Sequence, residues 1–139
     1  MNVLVASLGF PDPKNGSVAS KFVRVECEAY AAAVANVRVL TPHRKNSERK
    51  EILPSKVDVR RFRYFWPEKW QMLRTVNKPI YNHLSIVQII QFPFLMIAFS
   101  IAIMRHARWS DVIHCQWTNT ALLALPAKWF FGAKIVTTY

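Results

Sequence analysis

The chain has 139 residues, slightly more than half of them hydrophobic, and a formal charge of +11 at neutral pH. That length suits one domain with a core of its own, and so apolar a composition excludes extended disorder. The charge points to anionic partners, whether phosphorylated small molecules, nucleic acid or an acidic membrane face, without choosing among them.

Cys27 and Cys115 are too few and too far apart for a disulfide framework or a zinc site. They read as reduced packing residues of a cytoplasmic protein. The start, Met1-Asn2-Val3, lacks the basic region and long apolar core of a secretory signal.

Asn2 to Leu8 reads as a buried strand, because Val and Leu run on without polar alternation. Gly9 to Ser17 is a loop, kept from helix and strand by Pro11, Pro13 and Gly16. A helix is predicted from Ser17, its N-cap, to Ala33, with Val18, Phe22, Val25, Ala29 and Ala32 as the stripe that packs on a sheet. Asn36 to Leu40 returns as a second strand, completing a βαβ unit.

From Arg38 to Arg63 basic residues outnumber acidic ones, and the run reads as a solvated face or as a binding site. Within it, 57–65 begins with apolar and charged residues in alternation and reads as an edge-like third strand with one face in water. Phe65 to Trp70 is an aromatic turn, and short helices are expected between Trp70 and Leu84.

Ile86 to Met104 is apolar except for Gln88, Gln91, Pro93 and Ser100. Three readings stay open for it: a helix in or against the domain, a membrane-surface element, or a span near the lower length limit. Leu95, Phe99, Ala102 and Met104 mark an apolar side. Ser110 to Cys115 is a short strand, and Gln116 to Thr120 a turn with capping chemistry. Ala121 to Phe131 is a helix broken or kinked by Pro126 and closed by Gly132, and a last strand runs from Ala133 to Tyr139. Strands alternating with helices make this an α/β chain, a Rossmann-like parallel sheet flanked by helices.

Ligands of an open parallel sheet bind beyond the carboxyl ends of its strands. There the loop around Gly16, with Asn15 and Ser17 beside it, and the segment His114 to Thr120 meet. A backbone that approaches closely at a helix N-terminus suits an anion. The loop has neither a dinucleotide fingerprint nor a P-loop, and His114 has no partner at a spacing that marks a triad or a metal centre.

Several stretches resemble, in order, the N-terminal domain of family-four glycosyltransferases. They are Val3-Leu4-Val5-Ala6-Ser7, Phe10-Pro11-x-Pro13-x-Asn15-Gly16, Val18-Ala19-x-x-Phe22-Val23 and Val37-x-Val39-Leu40-Thr41-Pro42. Arg61 to Pro67, Ala107-Arg108-x-x-Asp111-Val112-Ile113-His114-x-Gln116-Trp117 and Ala124 to Tyr139 continue the series. The resemblance implies one half of a GT-B architecture over residues 1–139, with a C-terminal donor-binding domain outside them. It implies transfer of a sugar, with retention, from a nucleotide-sugar co-substrate to an acceptor hydroxyl, without a bound metal or other cofactor.

By the same resemblance Asn15, Gly16 and Ser17 close on the donor's phosphate and sugar, and His114, Gln116, Trp117 and Thr118 line the acceptor side. The acceptor is a glycan, a lipid-linked sugar or a small molecule. No catalytic residue is expected within the chain, because the family's cleft histidine follows the Thr-Thr-Tyr strand that ends here and its paired glutamates belong to the donor domain. The chain alone is therefore expected to be inactive. A donor-domain partner chain is the other partner implied. Separately, the basic surface and the Ile86–Met104 segment suit an anionic membrane surface, at the inner face of the membrane.

A competing reading is a non-enzymatic basic module on a membrane or nucleic acid, with Phe62, Tyr64, Phe65 and Trp66 to stack on bases. No single-strand-binding motif accompanies them, and nucleic acid is not a partner of the transferase reading. A third reading is a small membrane protein spanned by Ile86–Met104.

Overall fold

The computed structural model describes residues 1–12, 20–34, 36–44, 47–67, 70 and 86–138. The elements are β1 (Asn2–Ala6), α1 (Lys21–Val34), β2 (Asn36–Pro42), β3 (Lys50–Ile52), β4 (Asp58–Phe62), α2 (Ile86–Ala107), β5 (Val112–Gln116), α3 (Thr118–Phe131) and β6 (Lys134–Thr138). They form an α/β fold around a six-stranded sheet of order β3-β4-β2-β1-β5-β6. Every pairing is parallel except that of β3 with β4.

The central strand shows why the sequence folds this way. Val3 and Val5 face one side of the sheet and Leu4 and Ala6 the other, and all four are buried. A strand covered on both faces needs the unbroken apolar run that opens the chain. On the first side Val3, Val5, Val37, Val39, Val57 and Val59 pack with Val23 and Cys27 of α1. On the second, Leu4, Leu40, Ile113 and Cys115 pack with Phe99, Ala102 and Ile103 of α2 and with Ala124 and Ala127 of α3. Cys27 and Cys115 are buried free thiols in opposite layers. Burial pushes each up to about 12, helped at Cys27 by Glu26 and Glu28.

Five expectations are corrected. The first helix begins at Lys21, not Ser17: Ser20 is a turn residue with φ 61°. Its sheet-facing stripe is Val23 and Cys27 with Tyr30 and Ala31, while Phe22 and Val25 are exposed. Both stripes are apolar at helical spacing, so periodicity alone did not choose between them. The third predicted strand is β4, and it is not an edge, because β3 pairs along its outer side through a hairpin turn at Leu53–Lys56.

The helix after β5 begins at Thr118 on an N-cap, Trp117, that makes no side-chain capping bond, so the expected turn to Thr120 is a single residue. Nor does Pro126 break it, since α3 is continuous to Phe131. A helical proline leaves a carbonyl four residues back without its bond. Here that is Leu122, whose exposed position lets water take over, and Pro93 in α2 likewise frees the exposed Ile89. Gly132 closes α3 with φ 65°, its N–H on the Lys128 carbonyl at 2.9 Å.

Three arginines of the basic run are held in ion pairs. Asp58 receives Arg38 at 3.0 Å and Arg60 at 2.9 Å, and Glu51 receives the buried Arg61 at 2.9 Å. The short helices expected between Trp70 and Leu84 lie, from 71 on, outside the described residues.

Candidate functional site at the carboxyl rim

Parallel pairing sets β1 beside β5 with Val5 opposite His114 and Ala6 opposite Cys115. The loop after β1 and the turn after β5 therefore leave the sheet at the same edge. Its described part is held tightly. Ser7 N–H donates to the Leu40 carbonyl at 3.0 Å, the Ser7 hydroxyl donates to the Gly9 carbonyl at 2.7 Å, and Phe10 is buried. Farther along the rim, past β2, the half-desolvated guanidinium of Arg44 is held below its usual value by burial, against the opposing pull of Asp12. Asn15, Gly16 and Ser17 lie outside the described residues.

His114 and Gln116 share the α1 side of β5, as a period of two requires, and both are buried. Glu26 of α1 brings them together. Its carboxylate accepts hydrogen bonds from the Gln116 amide and, at 2.9 Å, from the Tyr30 phenol. His114 Nδ1 lies 3.6 Å from the same carboxylate, while Nε2 is 2.6 Å from the Thr138 hydroxyl of β6. A proton on Nδ1 faces the carboxylate and leaves Nε2 to accept from Thr138; the reverse tautomer would set a lone pair against a negative charge. The Tyr30 phenol is pushed up to about 12 by burial first and by Glu26 second, so it remains a donor. The ring of Tyr30 meets that of His114 edge-on at 5.6 Å.

Trp117 and Thr118, the other two predicted residues, are exposed beyond this cluster. Trp117 has φ 74°, a costly conformation for a bulky residue, and Phe22 meets its indole edge-on at 6.4 Å. The strand thus splits the four residues expected at the acceptor side, with a fixed polar pair inside and an exposed aromatic ring outside at the N-terminus of α3. Glu26, Tyr30, Thr138 and Phe22 were missed. For the three on α1 the signal was the i, i+4 series Phe22, Glu26, Tyr30, legible only once β5 is known to face it.

The arrangement can orient an amide, stack a flat apolar surface on an indole and present the first amides of α3 to a polar group. Among the described residues no His, Cys, Asp and Glu cluster could hold a metal ion.

No protein-family model matches the sequence. No curated protein matches it either. The fold is similar to sucrose-phosphate synthase from Thermosynechococcus elongatus, with a TM-score of 0.61 and 16% identity over 99% of this chain and 32% of that one. A second structure of the same enzyme gives a TM-score of 0.61 and 18% identity over all of this chain and 63% of that one. The chain thus spans about a third of the longer of these two structures. Its six-stranded, mostly parallel sheet with flanking helices resembles part of a GT-B enzyme.

Proposed function

We propose that this chain is the acceptor-side domain of a GT-B glycosyltransferase, the half that presents the hydroxyl to which a nucleotide-sugar donor gives its sugar with retention. The observation that carries the reading is the likeness of the whole chain to part of sucrose-phosphate synthase, together with the polar cluster at the carboxyl end of β5.

In this reading Glu26 fixes the Gln116 amide toward the acceptor, His114 braces β5 against β6, and the Trp117 indole offers a face for a sugar ring. Thr118 contributes its hydroxyl and the first free amide of α3. The Asn15-Gly16-Ser17 segment meets the donor's phosphate from the neighbouring loop. The donor nucleotide belongs to a second domain, so residues 1–139 alone hold an acceptor without transferring to it. The acceptor is a glycan, a lipid-linked sugar or a small molecule, and the setting is the cytoplasm, at the inner face of a membrane.

Saturation-transfer NMR with monosaccharides and hexose phosphates tests the acceptor half. Signal transfer is expected in the full chain and is reduced in Trp117→Ala and Gln116→Ala. The absence of any sugar contact would remove the acceptor assignment. Turnover of UDP-glucose or GDP-mannose by the chain alone would show that the donor site is already present.

A further inference from the structure

We propose that the outward faces of α2 and α3 form a docking surface for an anionic lipid bilayer. This surface stands on observations separate from the sugar-transfer reading. α2 packs Phe99, Ala102 and Ile103 against the sheet, and Leu95 on the same side is buried. At about 100° per residue the opposite side carries Ile86, Ile90, Phe94, Ile97 and Ile101. All five are exposed, from 44% at Ile101 to 76% at Ile86. No charged residue interrupts the helix between Ile86 and Met104. A side-on apolar stripe of this length is more than a monomer in water ordinarily shows.

The stripe continues onto the neighbouring helix. Ser100 of α2 donates to the Leu123 carbonyl of α3 at 3.0 Å, and the adjoining outward residues of α3 are Leu122 and Trp129, both exposed. At the shared end the composition changes to cations and aromatic rings: Arg105, Arg108, Lys128 and Lys134 with Trp129, Phe130 and Phe131. The Arg108 guanidinium lies 5.0 Å over the Phe131 ring. Aromatic and basic side chains beside an apolar stripe are the composition of an element lying in the headgroup layer.

Charge decides between a bilayer and a second copy. From Ile86 to Tyr139 the sequence holds one acidic residue, Asp111, and its carboxylate is engaged with the Asn2 amide at 2.7 Å. A second copy docked face to face would set these cations against apolar side chains and against one another. Anionic headgroups complement them, and acyl chains complement the isoleucines. Because α2 is packed on the sheet along one side, it meets the bilayer lengthwise rather than crossing it.

The test is flotation of the full chain with phosphatidylcholine vesicles, with and without phosphatidylglycerol. Co-flotation with the phosphatidylglycerol vesicles is expected, weakened by salt and weaker still on neutral vesicles. Ile97→Asp is expected to reduce binding roughly tenfold or more, and Arg105→Glu or Arg108→Glu each about fivefold or more. Circular dichroism confirms that the variants fold. Should Ile97→Asp fail to fold, quenching of tryptophan fluorescence by brominated lipids reads the same surface in the unaltered helix, and Trp129→Phe should abolish most of it. The proposal is overturned if the chain stays in the dense fraction with phosphatidylglycerol vesicles, or if a folded Ile97→Asp floats as well as the parent. A dimer that Ile97→Asp disperses, in a chain that ignores vesicles, would assign the face to a second copy instead.

Discussion

Glu26 accepts a hydrogen bond from Gln116 across 90 residues of sequence, and this contact ties α1 to the end of β5. The same carboxylate serves Tyr30 and faces His114. Truncating it in Glu26→Ala leaves the buried Gln116 amide without its acceptor and takes a hydrogen bond from the partly exposed Tyr30 phenol. The expected loss is about 1–3 kcal/mol in urea unfolding. Glu26→Gln keeps one acceptor oxygen and should recover part of that loss. Equal midpoints for Glu26→Ala and the parent would mean that the cluster does not hold the helix.

The layers of the fold were legible because burial on both faces leaves a compositional mark. The unbroken apolar run at Val3–Ala6 reads as a strand covered on two sides, Val112–Cys115 reads as a short strand, and helices between strands imply the parallel pairing that β1 and β5 make. What the sequence hid was orientation. Along α1 the residues Phe22 and Val25 are as apolar as Val23 and Cys27, and only the sheet distinguishes them. β3, at three residues with two of them charged, falls below any periodic signal, yet its pairing turns the expected edge into an interior strand. At the rim, His114 and Gln116 were legible as polar residues at a strand end. Glu26 was not, because a helix carboxylate reads as solvated until its partner strand is in view.

Acid should destabilise the protein in two stages. Arg38 donates to His106 Nδ1 at 3.2 Å, and burial first, then Arg38 and Arg60, hold the imidazole below its usual 6.5. The unfolded chain therefore takes up that proton first, so stability begins to fall as pH drops below about 6.5 and stops falling for this cause below the folded value. At Asp58 burial raises the carboxyl, but hydrogen bonds from Arg60 and Arg38 outweigh it and the net value lies below the usual 3.8. Its stabilisation is complete above the unfolded value and is lost as pH falls through the lower, folded one. Melting temperature measured against pH should show both declines. His106→Gln should remove the first alone, and a profile flat from neutrality to pH 4 would contradict the His106 assignment.

Gly132 isolates a backbone effect from a packing effect. Its φ of 65° is left-handed, yet a Cβ there would meet nothing within 4 Å. Gly132→Ala should therefore cost only the conformational penalty, about 1 kcal/mol, with no clash added to it. Gly132→Asn should cost less, since asparagine tolerates this region better. Thermal melts of the two variants give the comparison, and an alanine cost of several kcal/mol would mean that the closing turn of α3 is more crowded than it stands here.

The orientation of α2 can be read from two residues half a turn apart. Phe99 is fully buried and stacks on Phe62 of β4 with ring centres 4.9 Å apart, whereas Ile97 is 59% exposed. Phe99→Ala removes a packed ring and leaves a cavity under the helix, an expected loss of about 3–5 kcal/mol. Ile97→Ala touches no core and should stay within about 0.5 kcal/mol of the parent. A helix rolled by half a turn on the sheet would invert this order, so equilibrium unfolding of the pair fixes which side of α2 the sheet holds. The inequality matters beyond stability, because a residue as apolar as Ile97 that contributes nothing to folding is free to serve an external apolar phase.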